Sequence, residues 1–194
     1  DHDAAGTFPT TASALARNPR VARRYLERGM EFALHGERHV DHAALSRDEQ
    51  AAAIRRGLAV FARHRIPCHG FRGPYLRANE WTIPVLRDAG VRYDATQAYT
   101  FEAAEPLAND VYRRGLDFYG ARRAADEPVV PEIEDDVVRI PYSLPDDEAV
   151  VDRLALDPPG IARLWSAMFE ATLARGELFS LALHPERTAR CARG

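Results

Sequence analysis

A chain of 194 residues, 46% hydrophobic and 28% charged, has the make-up of one ordinary soluble domain with a real core, which excludes the disordered and fibrous classes. Its net charge of -3 mixes 26 basic side chains, all of them arginine, with 29 acidic ones, and this excludes the clustered basic face that a nucleic acid requires. No apolar run is as long as a bilayer span, the ends carry no signal-peptide pattern, and two cysteines, Cys68 and Cys191, are too few for a disulfide framework.

In chain order, Gly6 to Thr10 predicts a short first strand, and Asn18-Pro19 has the N-cap and N1 chemistry of a helix start. Val21, Ala22 and Tyr25 then fall at helical spacing, and Gly29 ends that helix ahead of a buried strand, Glu31 to Leu34. Ser46-x-x-Glu49 is a capping box opening a helix with Ile54, Leu58 and Phe61 on one side. Pro67 to Phe71 predicts a strand that delivers Arg72-Gly73-Pro74-Tyr75 to its end. Asn79 caps a short helix reaching Asp88, and Val91 to Tyr93 forms a strand with Asp94 and Thr96 at its exit.

Residues 98 to 135 are rich in Arg, Asp, Glu and Pro without clear periodicity and are expected to be an insertion or long loop. Val137 to Ile140 resumes as a strand that ends in the run Pro141 to Asp147. Asp157-Pro158 opens a helix carrying Ile161, Leu164, Trp165 and Met168 on one face. Leu178 to Leu183 predicts a continuous apolar strand, buried on both faces, that stops at His184-Pro185. Strands alternating with helices imply a parallel α/β sheet or barrel. His35, Arg72, Asp94, Asp146 and His184 each follow a predicted strand, at the end where such folds gather their sites.

The chemistry concentrates where the Glu31 to Leu34 strand meets His35, His39 and His42. His35 and His39 are i and i+4, which puts two imidazoles on one face if the segment turns helically, as a divalent metal requires. Two imidazoles leave the coordination incomplete, since zinc in a hydrolytic site takes a third protein ligand, commonly a carboxylate, and a water. His42 has a less favourable phase and is assigned a surface or supporting role. A guanidinium leaving a strand beside such a site suits Arg72 to orienting a carboxylate. The imidazole of His184, on the last strand, is a candidate general acid. Asp146 and Asp147 read equally well as a helix N-terminus.

Thr7-Phe8, the Asn18-Pro19 helix, Gly29-x-Glu31-x-x-x-His35-x-x-x-His39, Phe71-Arg72-Gly73-Pro74-Tyr75 and Leu181-x-Leu183-His184 together resemble the polysaccharide deacetylase family, carbohydrate esterase family 4, which includes the nodulation deacetylases. The resemblance runs in order over nearly the whole chain. It implies an α/β fold, a distorted (β/α) barrel across residues 1–194, with a divalent metal, usually zinc, held by an Asp-His-His triad, and an N-acetylated glycan as substrate. By that comparison His35 and His39 are metal ligands, and Arg72 orients the catalytic aspartate. The Tyr75 amide then helps bind the oxyanion and His184 protonates the leaving amine. The family's Thr-Phe-Asp-Asp strand, source of the base and third ligand, has no counterpart here. Thr7-Phe8 matches the second strand, Asp1 and Asp3 fall in the loop before it, and the barrel is expected to lack its first strand, leaving this piece inactive by itself. Two alternatives stay open, an amidase of the same barrel acting on a small amide and a non-catalytic carbohydrate-binding protein.

Overall fold

The computed structural model describes residues 5–191, with side chains through Thr188. In chain order it comprises β1 (Thr7–Thr10), α1 (Ala12–Arg17), α2 (Pro19–Leu26), β2 (Glu31–Leu34), α3 (Arg47–Arg63), β3 (Gly70–Phe71), α4 (Thr82–Asp88), β4 (Tyr93–Asp94) and β5 (Ala98–Thr100). Then follow α5 (Asp110–Tyr119), β6 (Arg122–Arg123), β7 (Glu132–Glu134), β8 (Val137–Arg139), β9 (Tyr142–Leu144), α6 (Pro158–Arg175) and α7 (Pro185–Cys191). Short 3-10 turns cover His42–Ala44, Pro74–Leu76 and Glu102–Leu107, and a π-type turn covers Ala149–Arg153. No helix among the described residues is long and apolar enough to cross a membrane. The chain packs as two compact units, residues 1–96 with 132–140 and residues 97–131 with 141–194.

The first unit is built on a six-stranded sheet in the order β1-β2-β3-β4-β8-β7, parallel except for the β7–β8 hairpin. Leu34 lies in register with Phe71 and Phe71 with Asp94, so His35, Arg72 and Ala95 leave the sheet side by side. A parallel sheet produces this gathering automatically, because all its C-terminal ends share one edge. Phe32, Leu34, Ile54, Phe61, Phe71, Leu86 and Val137 form the core beneath that edge. The capping box is present in full: Ser46 accepts from the Glu49 amide while the Glu49 carboxylate accepts from the Ser46 amide. At Gly70 a Cβ would lie 1.9 Å from the Tyr93 ring, so a side chain there has no room beside the neighbouring strand.

Two local expectations shift. Asn18 sits between α1 and α2 and its side chain does not cap the start of α2; its Nδ2 donates instead to the Ala14 carbonyl of α1 at 3.5 Å, whereas Thr11 caps α1 by accepting from the Ala14 amide. Asn79 precedes α4 by two residues beyond its flanking Trp81, accepting from the Trp81 amide while donating to Ala43 and Leu45 carbonyls.

The second unit holds a parallel three-stranded sheet in the order β6-β5-β9. Its core is formed by Tyr99, Phe101, Tyr112, Val129, Val150, Ile161, Leu164 and Met168. The stretch 98–135 is therefore structured rather than a loop: it supplies two strands to this sheet, and Asn109 caps α5 by accepting from the Tyr112 amide at 2.9 Å. Its helical pattern is blurred in the sequence because only Tyr112 is fully buried on α5, while Val111 and Phe118 stand exposed among the charged residues. Asp157 opens α6 as expected, accepting from the Gly160 amide at 2.8 Å.

The predicted strand Leu178 to Leu183 does not form. The Leu178 amide donates to the Val129 carbonyl and the Ser180 amide to Ser143 Oγ, but no ladder follows, and Leu181 and Leu183 are 46% and 49% exposed. A continuous apolar run implies burial on both faces only if a neighbour pairs each edge, and hydropathy does not reveal that. Among the described residues neither sheet closes on itself, in keeping with an incomplete or distorted (β/α) barrel.

Candidate active site

In the first unit the backbone turns out of β2 through Gly36, whose φ of +74° is open to glycine and costly for other residues. A Cβ there would also stand 2.7 Å from the Arg38 carbonyl oxygen. The segment from His35 to Asp41 is an irregular loop, so the helical face expected of an i, i+4 pair is absent. The loop nevertheless brings the rings of His35 and His39 together edge to face, with centroids 5.0 Å apart. Salt bridges brace it on both sides of His39: Glu37 to Arg56 at 2.7 Å and Asp41 to Arg77 at 2.9 Å.

His35 Nδ1 lies 2.7 Å from the Arg72 carbonyl oxygen. A carbonyl only accepts, so Nδ1 carries the proton and the ring's lone pair is left on Nε2. Orientation of an imidazole by a backbone carbonyl is the arrangement that metal-ligating histidines use. Arg72 thus serves His35 through its main chain, while its Nε donates to the Ala95 carbonyl at 3.2 Å.

Tyr75 follows in a left-handed conformation, φ +59°, as does Leu76 at +53°. The Tyr75 ring packs edge to face on His39, centroids 4.5 Å apart, and is 43% exposed. Of the third histidine the surface reading is overturned: His42 is fully buried against Phe71, neither ring nitrogen has a hydrogen-bond partner, and burial lowers its pKa to about 4.

The chemistry of this donor pair fits a divalent cation, with an oriented neutral imidazole in His35 and a second imidazole beside it. Among the described residues no carboxylate joins His35 and His39 in a three-ligand group, and Asp1 and Asp3 lie outside the described residues.

The second unit contains a cluster that sequence reading missed. His184 Nδ1 meets Asp147 Oδ1 at 2.7 Å, and Asp147 Oδ2 accepts from the His184 amide and from Thr188 Oγ1 at 3.0 Å. This carboxylate raises the His184 pKa, holding the imidazolium to higher pH, and with Nδ1 committed to Asp147 the transferable proton is on Nε2. Asp146, Asp147 and His184 each place a ligand atom within 4.8 Å of the others. Their donors argue against a cation there. Asp146 accepts from the Tyr142 hydroxyl at 2.6 Å and the Ala149 amide at 2.9 Å, and both Asp147 oxygens are occupied by N–H or O–H groups. The cluster is satisfied as a hydrogen-bond network. The sequence signal was the Asp146-Asp147 pair behind Pro145, but its partner lies 37 residues away. Substituting Asp147→Asn is expected to lower the His184 pKa toward 6.5, read from an NMR titration of the ring protons; an unchanged titration would remove Asp147 as its partner.

A family profile described as Polysaccharide deacetylase matches residues 1–93. No protein of curated function matches the chain in sequence. Among solved structures, the chain superposes on a polysaccharide deacetylase-type protein from Mycobacterium smegmatis with TM-score 0.68 and 20% identity, covering 96% of this chain and 65% of that one. Puue allantoinase gives TM-score 0.69 at 19% identity, covering 98% and 61%. A polysaccharide deacetylase-type protein from Pseudomonas aeruginosa gives 0.66 at 18%, covering 96% and 60%. The chain thus spans less than two thirds of the length of each of these three structures, and at such identities the likeness establishes a shared α/β fold. The profile match takes in 93 of the 194 residues, a little under half of the chain, and this stretch contains the His35 and His39 loop.

Proposed function

We propose that this protein is a metal-dependent hydrolase of non-peptide carbon–nitrogen bonds that removes acetyl groups from an N-acetylated polysaccharide or oligosaccharide. The observation that carries the reading is the His35 Nδ1 contact with the Arg72 carbonyl, which fixes the tautomer a ligating imidazole needs beside a second imidazole. His35 and His39 would hold the ion, with zinc the expected metal. When bound, such an ion supplies Lewis acidity toward a carbonyl and an acidified water.

The chain's own groups then do the following. The Tyr75 ring packs beside His39, and the Tyr75 amide donates to the carbonyl oxygen as negative charge develops there, a contribution typically of about 3 kcal/mol per donor. Arg72 orients His35 and places positive charge at the strand end. His184, whose proton Asp147 retains, is the chain's candidate proton donor, through Nε2. On this assignment turnover falls as pH rises through the His184 pKa, since only the imidazolium can donate.

The test supplies a form of the protein extended to the length of its structural relatives with zinc and offers N-acetylated chitooligosaccharides alongside a small ureide. Release of acetate from the glycan supports the proposal. Hydrolysis of the ureide alone transfers the assignment to an amidase of this fold, and turnover of neither, with zinc bound, overturns catalysis.

A further inference from the structure

Asp94 is a carboxylate with no exposure to solvent, at the end of β4, and neither metal binding nor proton transfer uses it. Its Oδ1 accepts a short hydrogen bond from the Thr96 hydroxyl, and Thr96 Oγ1 in turn accepts from the Gly73 amide at 2.8 Å. Thr96 is itself 1% exposed, so both links are shielded from water. Across β8, Arg139 Nε stands 3.8 Å from Asp94 Oδ2; both atoms are buried and neither makes a hydrogen bond.

The direction of each proton follows from donor chemistry. The Gly73 amide can only donate, so the Thr96 oxygen must accept there, and its single hydroxyl proton has to go elsewhere. An ionised carboxylate can only accept, and Asp94 receives that proton. The carboxylate thereby fixes the hydroxyl rotor, with the lone pair turned toward Gly73. The surroundings that face Asp94 are the guanidinium groups of Arg139 and Arg72, which favour its charged form, and apolar burial, which opposes it.

Gly73 is the residue at which this anchoring matters. It begins the turn that puts Tyr75 and Leu76 in consecutive left-handed conformations, φ +59° and +53°, which ordinary side chains rarely adopt. Such a backbone persists only where its surroundings over-determine it. The turn is held by the Leu76 amide to Gly73 carbonyl bond, 3.0 Å, from within, and by the Gly73 amide to Thr96 bond from without. Space allows no other residue at the anchor: a Cβ on Gly73 would meet the Arg77 carbonyl oxygen at 2.7 Å and Thr96 Cγ2 at 3.0 Å.

We propose that Asp94 and Thr96 are positioning residues that fix the Gly73-Pro74-Tyr75 turn, and with it the direction of the Tyr75 amide. The consequence for catalysis rests on the deacetylase reading, in which that amide faces the developing oxyanion; the anchoring itself does not. A buried amide deprived of its acceptor loses about tenfold or more in protection.

The experiment follows amide hydrogen exchange at residues 73–77 in the protein as it stands, comparing the parent with Thr96→Val, Thr96→Ser and Asp94→Asn, with Phe32 to Leu34 as an internal reference. Thr96→Val is expected to raise exchange at Gly73 and Tyr75 about tenfold or more with the reference unchanged. Thr96→Ser keeps the hydroxyl and is expected to restore protection. Thr96→Val exchanging like the parent overturns the proposal, as does failure of Thr96→Ser to restore protection. If Thr96→Val does not fold, Asp94→Asn decides. Its amide can donate to the Thr96 oxygen and release the rotor, so raised exchange confined to residues 73–77 supports the anchor, and parental exchange overturns it. In the length-extended, zinc-loaded protein, Thr96→Val is expected to lower kcat with KM unchanged. Inactivity of the parent counts against the deacetylase reading alone, because exchange still decides the anchor.

Discussion

Replacing His35 with alanine is expected to weaken zinc binding by more than about 100-fold, because even the loss of a ligand's outer partner costs about 10- to 100-fold. The expectation comes from the tautomer: with Nδ1 donating to the Arg72 carbonyl at 2.7 Å, the Nε2 lone pair is the one available to an ion. His39→Ala is expected to behave alike, since its ring is the neighbour 5.0 Å away. Competition against a chromophoric chelator measures the affinities. Asp147→Asn supplies the contrast, because each Asp146 and Asp147 oxygen already accepts hydrogen bonds and the cluster needs no cation. Zinc binding that survives in His35→Ala and disappears in Asp147→Asn would move the metal centre to the second unit.

Between pH 7 and 4, His42→Leu and Asp94→Asn are expected to alter stability by about 3 kcal/mol each, in opposite directions. His42 is buried neutral with its pKa lowered from 6.5 to about 4. The unfolded chain takes up a proton below pH 6.5 that the native state refuses until about 4, so this residue's contribution is present above 6.5 and lost as the pH falls. Asp94 is shifted upward by burial, from 3.8 to about 6, so the native state binds the proton first. Its contribution is complete below 3.8 and lost as the pH rises through 6. In the parent the two nearly cancel. Relative to the parent, His42→Leu gains stability on acidification and Asp94→Asn loses it, while the double variant runs parallel to the parent. Urea melts at several pH values measure the differences, and variant curves parallel to the parent's would show that neither group is perturbed.

Local chemistry was legible wherever a few adjacent residues settled the outcome. Glu31 to Leu34 is a strand, Ser46 and Glu49 close a capping box, and Asp157-Pro158 starts α6. The histidine pair was found for a sound reason and given the wrong backbone: strand exit and Gly36 located it, but helical spacing did not describe the loop that joins the rings. Errors gathered where partners lie far apart in sequence. Leu178 to Leu183 has the apolarity of a central strand and lacks the paired edges. Residues 98 to 135 hid two ordered strands and a helix behind exposed faces on which charges alternate with apolar residues such as Val111 and Phe118.

From the sequence alone came the α/β alternation, the strand ends that bear chemistry and the identity of His35, His39, Arg72 and His184 as the side chains to weigh, because hydrophobic period, caps and glycines act over a handful of residues, while Tyr75 was singled out by the family resemblance. Tertiary structure decided the rest: the tautomer of His35, the burial of His42, the Asp147 partner of His184 and the Asp94–Thr96 anchor under Gly73. Each of these depends on which groups meet across the sheet or between distant segments after water has been excluded, and no local pattern encodes the field or the donor that a buried atom will find.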